Sequence, residues 1–467
     1  MYADAAIENH FSFCMGNEFA MNICVVGAGY VGLVTGSCLA DIGHRVICID
    51  NDEGKIRLLN AGQMPIYEPY LEDLVQQNRK RGSLSFSTDL SRGAKDSEVI
   101  FICVGTPPLE NGEADLSFVE KVTREVGATA DSHKLVVEKS TVPVQTGEYI
   151  NRTLQIYSRE EKGHFDVASN PEFLREGSAV LDFFHPDRIV IGVDNRRTED
   201  VLRKIYLPIL EGTFRCPVHS SCPPTTRPLF FVTDLKSAEL IKHASNSFLA
   251  TKISFINAIG EICERVGADV QKVAEGMGLD PRIGKEFLKA GLGFGGFCFP
   301  KDLQAFVRIA EKYGYDFALL KEVEKINKSR IDVAMEKLKK HLWVLRGKTI
   351  AFLGLAFKPQ TDDIRFAPAM ELIRRLREEG CHIRAFDPQA MKKASSEIPE
   401  IFYGRDPYEV AEGAEALVLA TEWPEFLDLD WDKMRRVMAR PFILDGRNFL
   451  PRSRVTALGF EYVGMGR

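Results

Sequence analysis

The chain has 467 residues, enough for two or three domains at about 100–200 residues each. Its 60 basic and 66 acidic residues leave a formal charge of −6 with no long Lys/Arg run, which argues against a nucleic-acid or membrane-surface partner. Apolar residues make up 45% and charged residues 27%, an ordinary globular balance, and no apolar run nears the roughly 18 residues needed to span a bilayer.

The first twenty residues hold no Lys or Arg and no apolar signal-peptide core, so 1–20 reads as a disordered extension. From Met21 onward, short β-rich runs alternate with amphipathic stretches. The runs "NICVVG", "RVICID", "EVIFICVG", "KLVVEKS", "DVASN" and "RIVIGV" predict a mostly parallel sheet with helices on both faces. Between Tyr206 and Asp234 the chain turns Pro-rich ("RCPVHSSCPPTTRP") and reads as a loop or linker. Asp234 can cap a long helix in which Ala238, Ile241, Phe248 and Ile256 fall near helical spacing. Helices continue to about His341 and read as a spacer or dimerisation element.

At Gly347 the α/β rhythm restarts with "KTIAFLGLAFKP", a helix from about Ala367, "HIRAFDP", "ALVLAT" and "PFILDG". The expected fold is α/β: two doubly wound Rossmann-like sheet domains joined by a long helical middle region. The expected boundaries are 21–230, 231–340 and 341–467. The ten cysteines contain no CxxC, and most sit in apolar strand-like runs. They read as thiols of a reducing cytoplasm, and no metal site is expected.

"VVGAGYVGLVTG" follows the first strand, and Gly27, Gly29 and Gly32 form GxGxxG. The first glycine permits the tight turn and the second lets the backbone approach a pyrophosphate. The third lets the helix pack on the strand, with its N-terminus facing the phosphates. Asp50 ends the next strand, 18 residues after Gly32, where a carboxylate pairs with a ribose 2′-hydroxyl and repels a 2′-phosphate. The 21–230 domain is therefore expected to bind NAD. "CVGTPP", from Cys103 to Pro108, closes a later strand where the ligand crevice lies.

"GLGFGGFCFPKDLQ" places Cys298 at the end of a glycine-rich loop, just before Pro300, Lys301 and Asp302. A helix N-terminus and a neighbouring ammonium lower a thiol pKa, so Cys298 reads as an activated nucleophile. NAD combined with a nucleophilic cysteine suggests a four-electron oxidation. An alcohol becomes an aldehyde, the thiol traps it as a thiohemiacetal, a second oxidation leaves a thioester, and water releases an acid.

With this loop, "GAGYVGL", "EKSTVP", "SNPEFLREG", "FKPQTDDIR" and the helix "AELIKHASNSFLATKISFIN" resemble the UDP-glucose/GDP-mannose dehydrogenase family, in the family's order. The resemblance covers nearly everything from Met21 to the C-terminus. It implies NAD-dependent oxidation of UDP-glucose to UDP-glucuronate, two NAD per turnover, by a cytoplasmic homodimer. The 341–467 domain then holds the UDP-sugar, and the product feeds polysaccharide biosynthesis.

Residue by residue, the resemblance makes Cys298 the nucleophile, with Lys242 and Asn246 beside the reacting carbon and Asp302 managing protons. It assigns water activation to Glu172 and water holding to Thr141. NAD contacts are implied for Tyr30, Val31, Lys55, Gly105 and Thr106, and for Thr141, Glu176, Lys301 and Arg365, beside the three fingerprint glycines and Asp50. Sugar-nucleotide contacts are implied for Glu172, Phe173, Leu174 and Glu176, for Lys242 and Asn246, and for Arg282, Phe287, Lys289 and Gly295. Phe357, Lys358 and Arg447 complete that set.

Phe297 departs from the Ser that many members carry, and "RFAP" stands where Glu after the Arg is common. The alternatives are a dehydrogenase of another nucleotide sugar, GDP-mannose or a UDP-N-acetylhexosamine, and a non-catalytic NAD-binding scaffold.

Overall fold

A computed structural model describes residues 20–158, 165–219, 222 and 227–467. The expected disordered extension lies outside the described residues, apart from residue 20.

The apolar runs form strands, the inner ones buried on both faces and the edge strands of the first sheet partly exposed. In the first sheet these are β1 (Asn22–Val26), β2 (Arg45–Ile49), β3 (Leu84–Ser87), β4 (Val99–Ile102), β5 (Lys134–Glu138), β6 (Phe165–Ser169), β7 (Arg188–Val193) and β8 (Leu229–Thr233). Their spatial order is β3-β2-β1-β4-β5-β6-β7-β8. All neighbours run parallel except β6 and β7, which meet antiparallel at Ala168–Val193 and Ser169–Gly192. Strand order reverses between β1 and β4, so the crevice at their carboxyl ends is where a ligand binds in such sheets.

Two expectations need correction. The Tyr206–Asp234 stretch is not wholly a linker: it contains a short helix, Leu207–Glu211, and β8, which pairs with β7 and completes the sheet. β3 also went unforeseen, because "LSFS" is short and half polar.

The second sheet holds β9 (Thr349–Leu353), β10 (His382–Phe386), β11 (Phe402–Tyr403), β12 (Ala416–Leu419), β13 (Phe442–Asp445) and β14 (Glu461–Gly464). Its order is β11-β10-β9-β12-β13-β14, with every pair parallel. Phe352, Leu372, Val418 and Leu444 lie in its buried core.

Between the sheets run the helices Leu235–Val266, Val270–Gly278, Cys298–Lys312 and Ala318–Leu342. The Asp234 carboxylate caps the first by accepting the Ser237 amide at 2.9 Å, and Gly267 ends it at φ 75°. Ala238 and Ile256 are buried, but Phe248 is 66% exposed. It lines up with exposed Leu240, Phe255 and Ile262 at seven- and eight-residue steps, an apolar stripe along the opposite face.

Candidate functional site

The carboxyl end of β1 leads through Gly27–Gly29 directly into the helix Tyr30–Asp41. A Cβ on Gly27, at φ 104°, would lie 2.6 Å from the Cys103 carbonyl oxygen. One on Gly32 would lie 1.7 Å from the Gly27 carbonyl oxygen. Gly29 faces open space, with nothing within 4 Å of where its Cβ would be. The outer two positions are thus closed by protein and the middle one is left open, the shape a pyrophosphate needs at a helix N-terminus.

Just beyond β2, Asp50 accepts the Ala28 amide at 2.8 Å and the Lys55 ammonium at 2.7 Å. That carboxylate is fixed at the mouth of the cradle, where a ribose diol fits. Gly105 likewise borders open space. The neighbouring Thr106 hydroxyl donates to the Thr141 carbonyl at 2.8 Å, and Lys301 Nζ donates to Thr106 Oγ1 at 3.3 Å.

Cys298 is the first residue of its helix, as its place before Pro300 suggested. Around it lie two buried ion pairs. Lys242 Nζ stands 2.9 Å from Glu172 Oε1, and Lys301 Nζ stands 2.6 Å from Asp302 Oδ1. Asn246, one turn after Lys242, donates its amide to Asp302 Oδ2 at 2.6 Å. Glu172 is oriented by the Leu174 amide, which donates to Oε2 at 2.6 Å. The Phe173 ring lies between cations, 4.1 Å from the Arg188 guanidinium and 5.3 Å from Lys242 Nζ.

Burial disfavours the Lys242 ammonium, yet Glu172, Cys298 and Asp302 outweigh it and hold its pKa above the ordinary lysine value. Burial likewise opposes the Asp302 carboxylate. Lys301, His243 and Lys242 overcome it and hold its pKa below the usual value.

The thiol itself corrects the sequence reading. Burial first, then the charges of Asp302 and Glu172, push Cys298 up to about 12, with Lys242 opposing. Lys301 is adjacent in sequence, but its charge is spent on Asp302. The resting nucleophile is a neutral thiol.

The glycine loop is held from the central helices and from the second sheet. Asn257 Oδ1 accepts the Gly291 amide at 2.8 Å, and Asn327 both accepts from and donates to the Phe294 backbone. Buried Arg330 donates to the Gly291 carbonyl at 3.2 Å and pairs with Glu261 at 2.7 Å. Arg447, beyond β13, donates to the carbonyls of Ala420 at 2.8 Å, Gly293 at 2.9 Å and Phe357 at 3.2 Å. A Cβ on Gly295 would meet the Phe366 carbonyl oxygen at 2.4 Å. The loop therefore touches the second sheet's connections directly.

The cofactor cradle touches them too. The Tyr30 hydroxyl donates to Asp362, and the Lys393 ammonium pairs with Asp362 at 2.8 Å. The Arg365 guanidinium stacks over the Phe297 ring at 4.4 Å, is clamped by Asp363 at 2.6 Å and reaches Glu176 at 3.6 Å. Burial, then Asp363, push Glu176 up to about 8, against Arg365 and Lys358. Lys358 is lowered by burial, with Glu176 and Glu68 opposing. Phe297 thus provides the platform on which Arg365 rests.

Some expected site residues are not brought in. Arg282 points to solvent with its guanidinium clamped by Asp280 at 2.6 Å, and Lys289 is exposed. Phe287 adopts φ 64°, a left-handed backbone uncommon for a large side chain, and its ring lies 6.2 Å from Phe299. Val31 lies half-buried in the first turn after the cradle.

Sequence reasoning missed several residues. Asn257, Asn327 and Arg330 look like polar helix residues until the loop is seen on them. Lys139, donating to Asn170 Oδ1 at 3.1 Å, is pushed down to about 8 by burial. Glu68 accepts the amides of Gly177 and Ala179 at 2.6 and 2.8 Å, beneath the turn that carries Glu176. Away from this centre, His185, Cys216, His219 and Cys222 converge, their ligating atoms all within 4.8 Å of one another. The sequence reading, which expected no metal site, did not single out this group. The spacing C-x2-H-x2-C mixes residue types, and its fourth member lies 31 residues upstream of Cys216.

A dinucleotide cradle that opens onto a half-buried thiol, with two buried lysine–carboxylate pairs beside it, defines a dinucleotide-dependent oxidoreductase that can hold its substrate covalently. Residues 21–210 match the NAD binding domain of the UDP-glucose/GDP-mannose dehydrogenase family, 236–329 its central domain and 351–452 its UDP binding domain. The chain belongs to this family, and its cofactor is NAD. It is 45% identical over 451 residues to a UDP-glucose 6-dehydrogenase of Rhizobium meliloti, covering 96% of this chain and all of that one. To the UDP-glucose 6-dehydrogenase TuaD of Bacillus subtilis it is 44% identical, covering 95% and 93%. Its fold matches a UDP-glucose dehydrogenase of Pyrobaculum islandicum with a TM-score of 0.86 and 38% identity, over 96% of this chain and 98% of that one.

Proposed function

We propose that this chain oxidises UDP-glucose to UDP-glucuronate with two equivalents of NAD, through a thiohemiacetal and a thioester on Cys298. The observation that supports this most strongly is the half-buried Cys298 flanked by the buried Lys242–Glu172 and Lys301–Asp302 pairs at the carboxyl edge of a dinucleotide sheet. A simple two-electron dehydrogenase has no use for a thiol among them.

NAD, held by the Gly27–Gly32 cradle and Asp50, supplies the hydride acceptor for both oxidations. The chain's own residues do the rest. The Asn246-held Asp302 carboxylate takes the hydroxyl proton, and the Lys242 ammonium stabilises the oxyanion at C6. The Cys298 sulfur adds to the aldehyde carbon and its proton passes to the site's bases. The carbon–sulfur bond then holds the carbon in place until the thioester is formed. Glu172 directs a water at the thioester carbonyl; that carbon–sulfur bond breaks, and sulfur regains a proton as the acid leaves. Thr141 helps to hold that water.

The second sheet's loop residues, Phe357, Lys358 and Arg447, carry the uridine diphosphate side, with divisions at 21–230, 231–340 and 341–467. The exposed Leu240, Phe248, Phe255 and Ile262 stripe supports a homodimer through the central helix, which also gives exposed Arg282 a place to act. A cytoplasmic setting fits the free cysteines. Among the described residues, no helix is long and apolar enough to cross a membrane.

The test is stoichiometry. Purified protein is given UDP-glucose, UDP-N-acetylglucosamine or GDP-mannose, and NADH is counted per sugar consumed. About two NADH with UDP-glucose alone is expected, and Cys298→Ser should form no acid. One NADH per sugar, or equal turnover of GDP-mannose, would overturn the reading.

A further inference from the structure

The helix Leu207–Glu211 ends at Gly212, and β8 begins at Leu229. The connection between them, residues 213–228, is long for a compact domain. Its start is seated on the sheet's own helix: the Phe214 ring lies 5.2 Å from Phe184 and 5.5 Å from the His185 ring. His185 directly follows the helix Ala179–Phe184 and so has a fixed base.

Onto that histidine the loop brings three more ligand-type side chains. Cys216 Sγ lies 3.2 Å from His185 Nε2, Cys222 Sγ lies 3.5 Å from the same nitrogen, and Cys216 Sγ lies 3.6 Å from His219 Nδ1. Tetrahedral bonds of about 2.0–2.3 Å to nitrogen and sulfur place neighbouring ligand atoms about 3.3–3.8 Å apart. The separations of 3.5 and 3.6 Å fall at that edge length and the 3.2 Å one just short of it, and no pair of the four exceeds 4.8 Å. The amides of Val218 and His219 also point at Cys216 Sγ, at 3.4 and 3.3 Å. Such N–H donors stabilise charge on a ligating sulfur.

We propose that His185, Cys216, His219 and Cys222 form a structural zinc site that staples the loop before β8 to the first sheet. Two thiolates and two imidazoles in a closed tetrahedron suit Zn2+ among the biological divalent ions, and four protein ligands leave no open position for catalysis. On binding, the two thiols each lose a proton, the imidazoles bind as neutral rings, and nothing is oxidised or reduced. The site lies apart from Cys298 and the NAD cradle. Because β8 runs straight into the Asp234 cap of the helix that carries Lys242 and Asn246, the staple secures the frame of the active site without touching substrate.

The test uses the full chain, reduced and stripped by a chelator, then titrated with Co2+ alone. The expected result is the visible absorption of tetrahedral cobalt with thiolate charge-transfer bands, saturating at about one ion per chain and displaced by Zn2+. Cys216→Ser/Cys222→Ser should abolish the charge-transfer bands, and His185→Ala and His219→Ala should each weaken binding at least tenfold. NADH formation from UDP-glucose, assayed at moderate temperature, should persist in these variants and reports that they are folded. If the reduced wild-type chain gives no such bands, the proposal fails. Bands that survive the double substitution overturn it equally. The readout is spectroscopic, so it stands whatever sugar the enzyme oxidises.

Discussion

Alkylation of Cys298 at graded pH puts the charge balance of the site to a direct test. The thiol is pushed up to about 12, from an ordinary value of 9.0. At pH 8 its thiolate fraction is then about one in ten thousand, against about one in ten for an ordinary cysteine, a deficit of roughly a thousandfold. A more basic thiolate is more nucleophilic. With a Brønsted coefficient of about 0.4–0.5, this returns roughly twentyfold, leaving reaction about fiftyfold slower. Burial slows reagent entry further, but by a factor that does not change with pH, so the slope carries the information. Iodoacetamide labelling of the ligand-free enzyme, read by mass spectrometry of the Cys298 peptide, should keep rising about tenfold per pH unit up to pH 10. The same peptide in the urea-unfolded chain should level off above about pH 9. Circular dichroism at each pH shows that the fold survives. A plateau in the native enzyme below pH 8 would mean that Lys242 and the helix N-terminus outweigh Asp302 and Glu172, and the account of the resting thiol would be wrong.

Two alanines in the fingerprint should behave oppositely. Gly32→Ala forces a Cβ within 1.7 Å of a carbonyl oxygen and should lower the melting temperature sharply or prevent soluble expression. Gly29→Ala meets nothing within 4 Å, so it should leave the melting temperature unchanged while raising the NAD KM about tenfold or more. Asp50→Ala removes the acceptor of the Ala28 amide and of a ribose hydroxyl. The kcat/KM ratio for NAD over NADP should fall by about 10–100-fold, as expected for charged hydrogen bonds of about 1.5–3 kcal/mol. Arg447→Lys cannot reach the carbonyls of Ala420, Gly293 and Phe357 together. It should raise the UDP-glucose KM and cost about 2 kcal/mol in urea unfolding, and an unchanged midpoint would show that the guanidinium does not fasten the loop.

How far the sequence reveals this molecule depends on how local each signal is. The central strands are apolar on both faces, so "VIFI" and "ALVL" declare themselves. Edge strands such as β8 and β11 are short or half exposed, and β8 stands behind a proline-rich stretch. Cys298, Lys242, Asn246 and Asp302 could be named from their motifs, and the fold brings them together. The sign of the Cys298 shift could not be read, because it depends first on burial and then on the carboxylates of Asp302 and Glu172, which only the fold brings near the thiol. Ala238 and Ile256 stand five full turns apart and share the buried face, whereas Phe248, ten residues after Ala238, is turned about 80° away from it and lies exposed. Three members of the His185–Cys222 cluster lie within seven residues, a local signal in the proline-rich stretch, but the fourth, His185, lies 31 residues upstream and only the folded chain sets it beside them.

The two buried ion pairs are poorly explained by stability. Removing a lysine and a carboxylate from water costs several kcal/mol per ion, and well-packed apolar residues of similar volume hold a protein together as well or better. Lys242–Glu172 and Lys301–Asp302 are nonetheless at most 6% exposed and closely paired. Each pair is neutral as a unit, so the cavity around Cys298 carries no net charge with which to balance a sulfur anion. Lys242 alone pulls the thiol toward ionisation, while Asp302, Glu172 and Glu176 all oppose it. Ionising Cys298 therefore leaves one unbalanced negative charge beside the two buried pairs unless a cation enters with the ligands or its proton passes to a carboxylate already there. The arrangement gives the carboxylates and the lysine a chemical purpose that packing does not.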